Sequence, residues 1–171
     1  MKTDKILFLD IDGVLNRRPT ESEIIGKCHP GLTHDELLWV VEGLSPMHVK
    51  RLKDLIDLIG DLKIVFSTTW RRFPDHPIVG DDWRKTLVEM LECDSARFIG
   101  DTPYISTTEN RRGKEILKWL TDNAQHDSKW CILDDNRWEI EKVVDADRCF
   151  FTDERIGLTD EIVDKIINYF N

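Results

Sequence analysis

The chain has 171 residues, 40% hydrophobic and 33% charged, which suits one soluble domain with a full core. A net charge of −9 argues against broad, non-specific nucleic-acid binding and leaves room only for a local basic patch. The start, Met1-Lys2-Thr3-Asp4, leads into a short apolar run broken by Asp10; it reads as neither signal peptide nor membrane span, so a cytoplasmic location is expected. Five strand-like runs alternate with helical patterns. Ile6 to Asp10 is an apolar run of the kind buried in a parallel sheet. Ser45-Pro46 opens a helix, with Val49, Leu52, Leu55, Ile56 and Ile59 on its apolar face and Gly60 as its stop. Leu62 to Ser67 is the second strand, and a helix is expected around Trp83 to Leu91. Arg97 to Asp101 gives a weaker third strand, and Gly113 to Asn123 a helix led by Ile116, Leu117 and Leu120. Trp130 to Asp134 and Arg148 to Phe151 complete the strands, and Thr159 caps a last helix. Such alternation predicts parallel pairing through right-handed crossovers.

Two segments interrupt the pattern: the polar-mixed stretch from Asn16 to Gly43, and a Pro-, Asp- and His-rich loop from Arg71 to Asp82. Cys28, Cys93, Cys131 and Cys149 form no C-x-x-C, so reduced thiols are expected, with Cys131 and Cys149 buried in strands. The five histidines have no metal-ligand spacing and are expected mostly at the surface. The six tryptophans are expected mainly in the core, with Trp70 and Trp138 near a site mouth.

The chemistry concentrates at strand ends. Asp10-Ile-Asp12-Gly13 puts two carboxylates one residue apart at the C-terminal end of the first strand, where open α/β sheets bind ligands. Two acids so placed repel each other and call for a cation or a shared proton. The second strand ends in Ser67-Thr68-Thr69-Trp70-Arg71, offering hydroxyls and N–H groups to a phosphate. Lys114 begins a helix after Arg111-Arg112-Gly113, and the fourth strand ends in a second acidic pair, Asp134-Asp135. Each feature has a plainer reading: Asp-Gly turns are common, Ser67 is a possible helix N-cap, Arg71 can pair with Asp75, and Arg111 and Arg112 compete with Lys114.

In this order the motifs resemble the haloacid dehalogenase (HAD) superfamily of phosphohydrolases. Asp10-Ile-Asp12-Gly13-Val14 is similar to its first motif, Ser67 to the second, Lys114 to the third and Asp134-Asp135 to the fourth. Leu-Asp-Ile-Asp-Gly-Val-Leu-Asn with Ser-Thr-Thr-Trp-Arg also resembles the branch near the Swiss-army-knife RNA-repair proteins. The resemblance implies a single three-layer, Rossmann-like α/β domain over residues 1–171, with a parallel five-stranded sheet in the order 3-2-1-4-5 and helices on both faces. Residues 16–43 would then form a short flap or mini-cap over an open site. It implies a Mg²⁺-dependent phosphatase. Asp10 would be the nucleophile, forming an aspartyl-phosphate, and Asp12 the acid and then the base. Lys114 would balance charge, while Ser67, Thr68 and Arg71 would bind the phosphoryl group. Asp10, Asp12 through its backbone carbonyl, Asp134 and Asp135 would hold the metal. A phosphorylated small molecule, protein or nucleic-acid end is the expected partner. The paired arginines Arg17-Arg18, Arg71-Arg72 and Arg111-Arg112 suit a phosphate-rich substrate. A phosphotransferase, or a HAD-like binding module without catalysis, is the alternative.

Overall fold

The structure is a computed structural model that describes residues 4–20, 43–72, 83–123 and 127–171. The flap expected at 16–43 lies largely outside these residues. So do Cys28, Trp39, Asp75, His29, His34, His76 and His126.

Five strands, β1 (Lys5–Leu9), β2 (Leu62–Phe66), β3 (Phe98–Asp101), β4 (Lys129–Asp134) and β5 (Cys149–Phe151), form one sheet in the order β3-β2-β1-β4-β5. Every pairing is parallel, and Leu9 lies level with Phe66 on one side and Leu133 on the other. The order is the expected one, so the ends of β1, β2 and β4 stand side by side.

Among the described residues the α-helices are α1 (Pro46–Ile59), α2 (Trp83–Leu91), α3 (Arg111–Asn123) and α4 (Asp160–Phe170). Alternation along β1 sorts its side chains between two cores. Leu7 and Leu9 join α1, α2 and α4 through Leu52, Leu55, Leu87 and Ile166. Ile6 and Phe8 face the other way, against Ile116 and Trp119 of α3. Phe8 is fully buried and meets Trp119 edge-on at 5.4 Å between centroids. Complete burial of such a ring is worth about 2–3 kcal/mol. Sheet and helices thus make three layers, as the resemblance implied.

Local signals act largely as read. Pro46 occupies the first turn of α1, and Gly60 ends that helix at φ 77°. The Thr159 side chain accepts the Ile162 N–H at the start of α4. The Ser45 side chain makes no capping bond, although Ser45 holds the N-cap position. The expected surface histidine pattern fails at His48. It is buried, with Nε2 2.9 Å from the Ile156 carbonyl, because α1 packs there against the chain entering α4. Cys131 is buried as expected, and Cys149 is only half-buried at the end of an edge strand.

Candidate active site

Asp10 is the first residue beyond β1, and its N–H still bonds the Leu133 carbonyl at 3.0 Å. The chain then turns away at Gly13, whose φ of 69° favours glycine. Space makes the same demand, since a Cβ on Gly13 would come within 2.7 Å of the Asp135 Cγ. Asp134 closes β4 and is fully buried, and Asp135 follows it. Carboxylate oxygens of Asp10, Asp134 and Asp135 lie within 4.8 Å of one another. Three acids so close require a cation.

One cation is built in. Arg112, in the first turn of α3, places Nη1 2.5 Å from Asp10 Oδ2, 3.0 Å from Asp134 Oδ2 and 2.5 Å from the Ser67 carbonyl. Burial works against its charge, but Asp10 and Asp134 more than offset this and bind its proton above the ordinary arginine level. The carboxylates still outnumber it. Burial, opposed by Arg112 and reinforced by Asp10, pushes the Asp134 carboxyl up. Burial and then Asp10 raise Asp135 from 3.8 to about 6.

The sequence offers Lys114 as the basic group, with Arg111 and Arg112 as rivals in the loop before it. The structure puts both arginines inside α3 and brings Arg112 to the carboxylates. Lys114, two residues on, lies roughly 200° further round the helix axis.

Asp12 stands beside this cluster. Asn16 Nδ2 donates to its Oδ1 at 3.0 Å and Trp70 Nε1 to its Oδ2 at 2.8 Å. Asn16 is itself oriented by the Gly13 N–H, which its Oδ1 accepts at 2.8 Å. Burial raises the Asp12 carboxyl above 3.8, with Asp10 adding to it, while the Asn16 and Trp70 bonds hold it down. A carboxyl so placed holds its proton more readily than a free one.

Ser67 follows β2 and is fully buried, and its Oγ has no hydrogen-bond partner. The Ser67 carbonyl meets Arg112, so this orphan hydroxyl belongs to a residue tied to the carboxylate cluster. Thr68 is buried too, and its Oγ1 accepts the Trp70 N–H at 3.3 Å. Arg71 is committed elsewhere than expected. Its Nη2 bonds Glu115 Oε2 at 2.5 Å and its Nη1 the Thr68 carbonyl, with both side chains of the ion pair buried. It therefore braces the turn after β2 against α3.

A cleft of about 500 Å³ opens over Asp10, Asp12, Arg112 and Asp135. Its rim includes Trp138, 75% exposed, and Arg18, paired with Glu154 at 2.9 Å. Trp138 thus lines the mouth as expected, whereas Trp70 is buried beneath it. Asn16 and Glu115 carry parts of the site that no motif role signals; only the spacing of Asn16 four residues after Asp12 hints at its contact.

Residues 6–163 match the family described as the HAD domain in Swiss Army Knife RNA repair proteins. The chain belongs to that family. As a HAD domain it has the fold of HAD-type hydrolases and phosphatases. Its fold is similar to the HAD domain of effector protein Lem4 from Legionella pneumophila, at 17% identity and a TM-score of 0.53, covering 99% of this chain and 97% of that one. The inactive mutant of the Lem4 HAD domain gives the same identity and TM-score, covering 99% and 96%. No curated protein matches the chain in sequence. Among the described residues, no helix is long and apolar enough to cross a membrane.

Proposed function

We propose that this HAD domain is a Mg²⁺-dependent phosphatase, hydrolysing a phosphomonoester through an aspartyl-phosphate on Asp10. The observation that carries the reading is the convergence of Asp10, Asp134 and Asp135 at strand ends, with Arg112 bonded to Asp10, Asp134 and the Ser67 carbonyl. Oxygen-only donors and uncompensated negative charge fit a hard divalent cation. Asp10 and Asp134 or Asp135 would hold the ion, with the Asp12 carbonyl. Bound Mg²⁺ would offset the repulsion between the Asp10 carboxylate and phosphate oxygens.

The remaining roles belong to the chain. Ser67 Oγ and the Thr68 N–H receive the phosphoryl oxygens, and Arg112 holds the Asp10 carboxylate in place. Asp10 attacks phosphorus as the bond to the leaving oxygen breaks, and Asp12 gives that oxygen its proton. Asp12 then takes a proton from the water that attacks the aspartyl-phosphate, releasing phosphate and restoring both acids. Asn16 and Trp70 position Asp12 for both transfers. The wide cleft and the exposed Trp138 at its rim suit a large substrate, in keeping with the repair context of the family name.

The test is hydrolysis of a generic aryl phosphate with and without Mg²⁺, using Asp10→Asn as control. Metal-dependent turnover lost in D10N is expected. Equal activity in the variant would overturn the nucleophile, and no turnover of any phosphoester by the wild type would favour a binding module.

A further inference from the structure

Beside the catalytic cleft lies a second, narrow crevice lined by Arg71, Arg72, Tyr104, Arg111 and Glu115, which shares Thr69 and Arg112 with the cleft; Glu115 pairs with Arg71 at 2.5 Å and lies 4.0 Å from Arg111, so Arg72 and the outer side of Arg111 carry the exposed charge. Tyr104 is 55% exposed, and two guanidiniums converge on its ring, Arg72 at 4.4 Å and Arg111 at 5.8 Å from the centroid. One surface cation–π pair is commonplace. Two on one exposed tyrosine, beside the catalytic cleft in a chain of net charge −9, is a local concentration of positive charge against the overall field.

Resting on the phosphatase reading, we propose that Arg72, Tyr104 and Arg111 form a subsite for the phosphate next to the reacting one, in a single-stranded nucleic-acid end. Guanidiniums take phosphate oxygens in bidentate fashion, and an exposed ring takes a base or sugar face. A nucleic-acid strand alternates these two groups, whereas an acidic phosphopeptide would use the guanidiniums and leave the ring idle. Because crevice and cleft share Thr69 and Arg112, a strand with its terminal phosphate in the cleft passes its neighbouring phosphate over Arg72 and Arg111 at the mouth of the crevice.

The experiment compares kcat/KM on an aryl phosphate, a mononucleotide, a trinucleotide with a terminal phosphate and a phosphopeptide with acidic flanks. The proteins are wild type, Arg72→Gln, Arg111→Gln, Tyr104→Leu and Arg72→Lys. Each of R72Q and R111Q is expected to lose about tenfold on the trinucleotide and less than about twofold on the aryl phosphate. The log–log salt slope for the trinucleotide should fall by about 0.7 in each, and R72K should restore it. Equal losses on both substrates, or no loss on the trinucleotide, would overturn the subsite. An equal or larger loss on the phosphopeptide would overturn the nucleic-acid assignment. If the wild type hydrolyses none of the four, the phosphatase reading fails while the subsite is still judged. Fluorescence anisotropy of a labelled, phosphorylated trinucleotide then decides: about tenfold weaker binding in R72Q upholds the subsite, and unchanged binding overturns it.

Discussion

Asp135→Asn should stabilise the metal-free protein at pH 8 and remove most of its stabilisation by Mg²⁺. The reasoning is electrostatic. Burial and Asp10 raise the Asp135 carboxyl from 3.8 to about 6, so the folded protein binds this proton more tightly than the unfolded chain does. The resulting stability is present in full below pH 4 and is lost as pH rises through 6. Asp134, raised as well, extends the loss in the same direction. For Asp135 the ionised state costs the fold at most about 3 kcal/mol, and solvent screening at the rim brings this to about 1–2 kcal/mol. In a chain of this size that is roughly 3–6 °C in Tm. Mg²⁺ at a hundred times its Kd should return about 2.7 kcal/mol to the wild type. The assay is thermal unfolding of both proteins at pH 5 and pH 8, in EDTA and in Mg²⁺. At pH 5 in EDTA the gap between the two should shrink to about half its size at pH 8. A D135N protein that melts at or below the wild type in EDTA at pH 8, or equal Mg²⁺ stabilisation of both, would refute the account.

Arg112→Met should destabilise by about 3–5 kcal/mol in urea, because it strands buried carboxylates without their cation. Lys114→Ala should leave both stability and kcat/KM close to wild type, and a large loss there would return the third-motif role to the lysine. Trp70→Phe removes the indole donor from Asp12 Oδ2. It should lower kcat about tenfold, the worth of one hydrogen bond to a charged group, with KM little changed. Because that bond holds the Asp12 carboxyl down, the limb of the pH–kcat profile set by Asp12 should move to higher pH in the variant. Gly13→Ala should cost about 1–2 kcal/mol from its positive φ alone. Its methyl group would also press on Asp135, so the Mg²⁺ concentration giving half-maximal activity should rise.

The sheet was legible because its strands are buried on both faces and read as unbroken apolar runs, and because helices with one apolar stripe lie between them. The acidic pairs were legible for the same reason. A carboxylate that closes an apolar strand has no packing role, and strand ends are fixed in space by register, so Leu9 beside Leu133 brings Asp10 to Asp134. His48 was not legible, because its burial depends on a segment more than a hundred residues away. The bonds of Asn16 and Trp70 to Asp12 depend on side-chain direction at the turn after β1 and in the short helix after β2, which composition does not encode.

The arginines show the limit most sharply. Read in sequence, Arg71-Arg72 and Arg111-Arg112 are two basic pairs, each a doubled charge. Both pairs lie in helical turns, a 3₁₀ turn at 69–72 and the first turn of α3, where consecutive side chains leave the axis about 100–120° apart. Neighbours in sequence must therefore serve different places. Arg112 turns inward to Asp10 and Asp134, and Arg71 to Glu115. Arg72 and Arg111 turn to Tyr104. Each pair contributes one guanidinium to the frame that holds the carboxylates and one to the crevice beside them. Substitutions within a pair should consequently separate: the inner arginine affects folding and every substrate alike, and the outer one affects only substrates long enough to reach Tyr104.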